Sequence, residues 1–127
     1  MVFKNERTWQ NAVEAGRTDE FHQAYEAAVE QVRKDLGQKH PLFIDGKEIW
    51  TRATFADTSP ANRKLVLGLF QKGTRAHAKQ AIAAARRAFP KWSATPWEER
   101  TRIIRRAADL VGQRKFYYAA LMSFENG

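Results

Sequence analysis

Few side chains in this sequence have the types and spacing to do chemistry. Its three histidines, His22, His40 and His77, are far apart, and none has a cysteine or carboxylate at metal-ligand spacing. They read as surface or capping histidines rather than ligands. Asp45 and Glu48 bracket an Asp-Gly pair, where turn formation already accounts for Asp45, so they do not read as a general acid/base pair. Ser59 and Ser93 have no His or acid nearby in sequence to activate them. No G-x-G-x-x-G or G-x-x-x-x-G-K-[ST] run is present to cradle a phosphate. The sequence has no cysteine, which removes disulfides, thiolate metal sites and a cysteine nucleophile together. What remains is a concentration of Arg and Lys on two late helices.

That charge is unevenly placed. Residues 1–60 hold 8 Lys+Arg against 10 Asp+Glu, whereas residues 61–127 hold 14 against 4. The net charge of +8 therefore resides in the second half, which suits either an acidic partner or nucleic acid. Base stacking would call for exposed aromatics between the basic residues. Phe89, Trp92, Trp97 and Phe116 read instead as core or helix-boundary positions, which argues against nucleic acid. With 127 residues and 43% hydrophobic content the chain is one domain's worth of material. No apolar run is long enough to span a bilayer. Met1-Val2-Phe3-Lys4-Asn5-Glu6-Arg7 has no apolar h-region, and the expected location is cytoplasmic, with the mitochondrial matrix as the alternative in a eukaryote.

The elements that must position these residues follow from periodicity and caps. Residues 1–17 read as an extended arm with one helical turn, anchored by Phe3, Trp9 and Val13. The region 18–37 reads as a helix from Asp19 to Leu36, capped by Thr18 or Asp19. Its apolar stripe is Phe21, Tyr25, Ala28, Val29, Val32 and Leu36, and Gly37 takes the left-handed C′ position. Residues 42–70 read as two β-hairpins. The first turns at Asp45-Gly46, the pair preferred in a type I′ turn. The second pairs residues 53–58 with 65–70 across the turn Ser59-Pro60-Ala61-Asn62. Residues 74–125 read as helices. Thr74 caps the first, which runs from Arg75 to Phe89, ends at Pro90 and buries Ala78, Ala81, Ile82, Ala85 and Phe89. Thr95, Pro96 and Glu98 supply N-cap, first-turn proline and capping-box signals for the second. It buries Ile103, Ile104, Ala107, Ala108 and Val111, turns Arg100, Arg102, Arg105 and Arg106 outward, and is broken or kinked at Gly112. A last apolar segment spans residues 116–124.

Several motifs, in order, carry a likeness. Phe3-Lys4-Asn5-Glu6, then a helix, then Pro41-Leu42-Phe43-Ile44-Asp45-Gly46-Lys47 resembles the opening of aldehyde dehydrogenases of the 1-pyrroline-5-carboxylate group. Ser59-Pro60-Ala61-Asn62 before Val66-Leu67-Gly68 is similar to the family's Asn-Pro-Ala-Asn turn and following strand, with Ser59 in place of the usual Asn. Ala78 through Phe89 with Trp92, and Trp97-Glu98-Glu99-Arg100 with Ile103 and Ala107-Ala108, resemble its next two helices, Pro96 standing one place early. Glu125-Asn126-Gly127 is similar to the start of a Glu-x-Gly-Lys motif.

The resemblance implies α+β architecture as the chain stands: N-terminal helices and β-hairpins flanking the α/β NAD-binding domain of an aldehyde dehydrogenase fold, residues 1–127 forming part of that domain. It implies NAD-dependent oxidation of glutamate γ-semialdehyde, the open form of 1-pyrroline-5-carboxylate, in proline degradation. A cysteine nucleophile and a glutamate base carry that chemistry in the family. Both, with the oxyanion asparagine and the cofactor-binding strands, fall beyond Gly127. No catalytic, cofactor-binding or metal residue is therefore assigned here, and the segment alone is expected to be inactive and to hold no NAD. The implied partner is the rest of a dehydrogenase chain, or full-length subunits. That partner would cover the apolar Leu65–Phe70 strand and offset the basic second half. The alternative is a free-standing basic α+β module binding nucleic acid or an acidic protein.

Overall fold

A computed structural model describes residues 8–127; the Phe3-Lys4-Asn5-Glu6 motif and the expected Phe3 anchor lie outside them. The described chain runs α1 (Trp9–Glu14), α2 (Thr18–Asp35), β1 (Lys39–His40), β2 (Leu42–Ile44), β3 (Lys47–Ile49), β4 (Thr54–Thr58), β5 (Val66–Gln71), α3 (Arg75–Ala94), α4 (Trp97–Gln113) and α5 (Lys115–Asn126).

Within the described part of the expected arm, Trp9–Glu14 form α1. Thr8 supports it by accepting from the Asn11 amide at 3.2 Å, a side-chain N-cap. Trp9 meets Phe21 edge-on at 5.5 Å and also contacts His22. Ala12 is the buried residue of α1, whereas Val13, an expected anchor, is exposed. α2 starts one residue earlier than its acidic first turn suggested. Arg17 stands at the N-cap without a side-chain cap bond, so neither Thr18 nor Asp19 caps it.

The α2 stripe packs on α5. Val32 and Ala120 are both 0% exposed where the two helices meet, and Phe21 meets Phe116 edge-on at 5.0 Å. Two long-range hydrogen bonds fasten the pair. Tyr25 Oη and Ser123 Oγ lie 2.8 Å apart, and Tyr117 Oη donates to Asp35 Oδ2 at 3.0 Å. Burial first, then the Asp35 hydrogen bond and charge, raise the Tyr117 phenol above the usual 10.0. The folded state therefore holds this proton more tightly than the unfolded chain does. That contribution is complete below pH 10.0 and is lost as pH rises through the raised value. An alkaline fall in unfolding midpoint that is smaller in Tyr117→Phe is the expected result; equal falls in the two proteins would contradict it.

Gly37 has φ 75°, as its C′ position requires, and its amide donates to Leu67 O at 2.9 Å. That bond leads α2 directly into a pairing absent from the sequence reading. β1 runs parallel to β5, with Lys39 opposite Leu69 and His40 opposite Phe70. β5 is thus the centre of a three-stranded sheet ordered β1-β5-β4, with β4 antiparallel to it. The β4–β5 hairpin closes through the expected Ser59–Asn62 turn, with an irregularity between Asp57 and Thr58. Gly68 is where the sheet is tightest: a Cβ there would stand 2.9 Å from Phe70 Cε2 and 3.0 Å from His40 Cδ2. The first hairpin is as expected, with β2 antiparallel to β3 and positive φ at Asp45 (56°) and Gly46 (71°).

α3 does not stop at Pro90 but continues to Ala94. Proline removes one N–H donor from the helix. In that last turn Ser93 Oγ donates to Pro90 O and Thr95 Oγ1 donates to Lys91 O. Thr95 thereby closes α3 instead of opening α4. Pro96 is the α4 N-cap residue, without a side-chain cap bond, so the expected capping box is absent. The break before α5 falls at Arg114 rather than Gly112. Gly127 ends the chain against the second hairpin turn; a Cβ there would be 3.4 Å from Pro60 Cγ.

Candidate functional site

The expected chemical residues do not converge. His77 is the third helical residue of α3, where its Nδ1 accepts from the Thr74 amide at 3.2 Å and its own amide donates to Thr74 Oγ1. His40 lies in β1, its ring stacked 4.9 Å from that of Phe70. His22 packs on Trp9. Asp45 accepts from Arg87 Nη2 at 2.8 Å, an exposed ion pair tying α3 to the first hairpin. Ser93 bonds its own helix, and Ser59 is buried at the β4–β5 turn. Among the described residues no three His, Cys, Asp or Glu are placed to share a metal ion. No described helix is long and apolar enough to cross a membrane. The α3 N-terminus follows β5, where a strand–helix nucleotide motif would present free amides. There Thr74 Oγ1 accepts from the His77 amide and His77 Nδ1 accepts from the Thr74 amide.

The exposed surface of α3 and α4 departs furthest from expectation. The stripe Ala78, Ala81, Ile82, Ala85 and Phe89 is exposed; α3 buries Ala84 and is docked on the first hairpin from the Arg87 side. α4 buries nothing, and Ile103, Ile104, Ala107, Ala108 and Val111 are all exposed. Phe89, Trp92 and Trp97, read as core or boundary residues, are exposed at 65%, 43% and 66%, while Phe116 is half-buried. An amphipathic stripe demands cover, but nothing in the stripe says that nearby residues provide it. An open apolar surface on this scale marks an interface.

Two grooves flank Trp97. One, of about 440 Å³, is lined by Arg102, Arg105 and Arg106 with Glu98 and Asp109 among them. The other, of about 370 Å³, is lined by Trp92, Trp97, Arg100, Thr101 and Ile104. In this second groove Arg100 Nε is buried and has no hydrogen-bond partner among the described residues. Arg100, expected to face outward, instead lies partly buried in the groove it shares with Trp92 of α3. Ile104→Lys should lower dye binding and aggregation of the 127-residue chain severalfold, with stability unchanged within about 0.5 kcal/mol. An undiminished dye signal would contradict the open face.

Residues 48–127 match the model of the aldehyde dehydrogenase family, and the chain belongs to that family. The β-hairpins, the β5–α3 step and the successive helices are those of the N-terminal region of its fold. Among relatives, the chain is 33% identical over 127 residues to the 1-pyrroline-5-carboxylate dehydrogenase of Oceanobacillus iheyensis, covering 100% of this chain and 24% of that protein. It is 38% identical over 105 residues to 1-pyrroline-5-carboxylate dehydrogenase 2 of Bacillus subtilis, covering 83% and 20%. A crystal structure of 1-pyrroline-5-carboxylate dehydrogenase from Thermus with bound NAD superposes with a TM-score of 0.79 at 33% identity, over 82% of this chain and 20% of that one. The chain thus spans about a quarter or less of the length of these relatives.

Proposed function

We propose that these residues are the N-terminal scaffold of a cytoplasmic, NAD-dependent 1-pyrroline-5-carboxylate dehydrogenase, which oxidises L-glutamate γ-semialdehyde to glutamate in proline degradation. The carrying observation is identity to such an enzyme along the whole chain, 33% over all 127 residues. The absence of cysteine leaves the segment without the family's nucleophile. The cap at the α3 N-terminus takes two of the amides that a phosphate would use. Catalysis and NAD binding therefore belong to the remaining part of the subunit. The role of these residues is mechanical: the β2–β3 hairpin holds α3 and the α2–α5 pair holds α4, with their apolar faces turned toward that part. The basic surface of residues 61–127 then serves an acidic protein partner within the enzyme, not nucleic acid.

The test is NADH formation from L-glutamate γ-semialdehyde and NAD. The purified 127-residue chain should give none. A chimera joining it to the Oceanobacillus relative beyond that enzyme's matched quarter should be active. Turnover by the short chain, with contaminants excluded, or a folded but inactive chimera, would overturn the proposal.

A further inference from the structure

Arg100 presents a donor without an acceptor. Its Nε is sealed from solvent, and no described group accepts from it. A buried polar group left unpaired is costly and rare in a finished fold. The groove around it is otherwise apolar, walled by Trp92, Trp97 and Ile104 with Thr101 at one edge, and all three large side chains are exposed. The nearby carboxylates are engaged or placed elsewhere: Glu99 is paired with Arg102 at 3.6 Å, and Glu98 and Asp109 line the neighbouring groove.

From this we infer that the Trp92–Trp97–Ile104 groove receives an apolar segment carrying an Asp or Glu, whose carboxylate accepts from Arg100 Nε, and that this segment belongs to the remainder of the dehydrogenase subunit. The inference rests on the proposed function. Three observations favour that occupant. The relatives that contain this region are about four times as long as the chain, which covers 24% of the Oceanobacillus enzyme. The surface surrounding the groove is strongly basic, with 14 Lys+Arg in residues 61–127, so an acidic visitor is electrostatically complementary. A charged acceptor also makes a stronger bond to a guanidinium than a neutral carbonyl does. A second copy of the chain would bring the same basic half to the contact.

Two readouts test this. Hydroxyl-radical footprinting reports each tryptophan separately. Trp92 and Trp97 should be modified about tenfold more slowly in the chimera described above than in the 127-residue chain. Arg100→Met should change sign with context. In the 127-residue chain it removes an orphaned donor, so the unfolding midpoint stays level or rises. In the chimera it strands a buried carboxylate, so the midpoint falls by several degrees. An Arg100→Met that destabilises the short chain as much as the chimera would overturn the inference, because Arg100 would already be serving a local partner. An active chimera in which both tryptophans stay fully reactive would overturn it while leaving the proposed function standing. A folded chimera without dehydrogenase activity would overturn the proposed function, and the inference with it. Protection that instead rises with the concentration of the short chain, alongside a dimer mass, would assign the groove to a second copy and overturn the inference.

Discussion

Val32→Asp should abolish cooperative folding of the α2–α5 pair. Val32 is 0% exposed and sits in the same seam as Ala120, also 0% exposed. A carboxylate placed there finds no cation and no water, and the penalty is upward of about 4 kcal/mol. Domains of this size are stable by only about 5–15 kcal/mol, and the core here is small, because α4 contributes no buried residue. Val32→Ala, which deletes two methyl groups and leaves a small cavity, should cost about 2 kcal/mol. Urea unfolding followed by helical circular dichroism checks both. An aspartate variant with an unchanged midpoint would show that α2 and α5 are not held by this seam.

Gly68→Val should be the most damaging single change in the sheet. Even a Cβ would lie 2.9 Å from Phe70 Cε2 and 3.0 Å from His40 Cδ2, and valine adds two further methyl groups to a strand flanked on both sides. The His40–Phe70 stack, at 4.9 Å and 22°, cannot open without pulling β1 off β5. Overpacking of this kind costs about 3 kcal/mol. The amides that report it are Gly37, bonded to Leu67 O at 2.9 Å, and Leu69, bonded to Gln38 O at 2.8 Å. Their hydrogen-exchange protection should fall about a hundredfold, ahead of that of the α2–α5 helices. Unchanged protection at both amides would contradict the β1–β5 pairing.

Much of the local structure was legible because single residues announce it. Asp45-Gly46 specifies a turn with two positive φ values, and the structure has both. The stripe from Phe21 to Leu36 specifies one inward helix face, and Val32 within it is fully buried. Thr74 announces a helix start, with His77 completing the reciprocal cap. Other features leave no local trace. Lys39–His40 is too short for any periodicity, so its parallel pairing with β5 was invisible until α2 placed it there. Pro90 reads as a terminator, yet it costs a helix only one donor and a local distortion, and α3 passes through it. Thr95 carries the signature of a start and serves as a stop.

The candidate site was legible as a pattern but not as a surface. The Ile82 and Ile103 stripes correctly mark apolar helix faces. Periodicity, however, cannot say whether cover comes from this segment or from another, and here both faces are open. Arg100 was indistinguishable in sequence from Arg102, Arg105 and Arg106. Its neighbours Trp92 and Ile104 set it apart only once α3 and α4 are in place.

The proposed role of these residues is that of scaffold in a larger dehydrogenase. An antibody raised to the α2 sequence, Thr18–Asp35, applied to extracts of the native source, tests it most directly. The expected result is one band roughly four times heavier than 14.6 kDa, co-fractionating with oxidation of L-glutamate γ-semialdehyde by NAD. A single band near 14.6 kDa, with no heavier species, would contradict it.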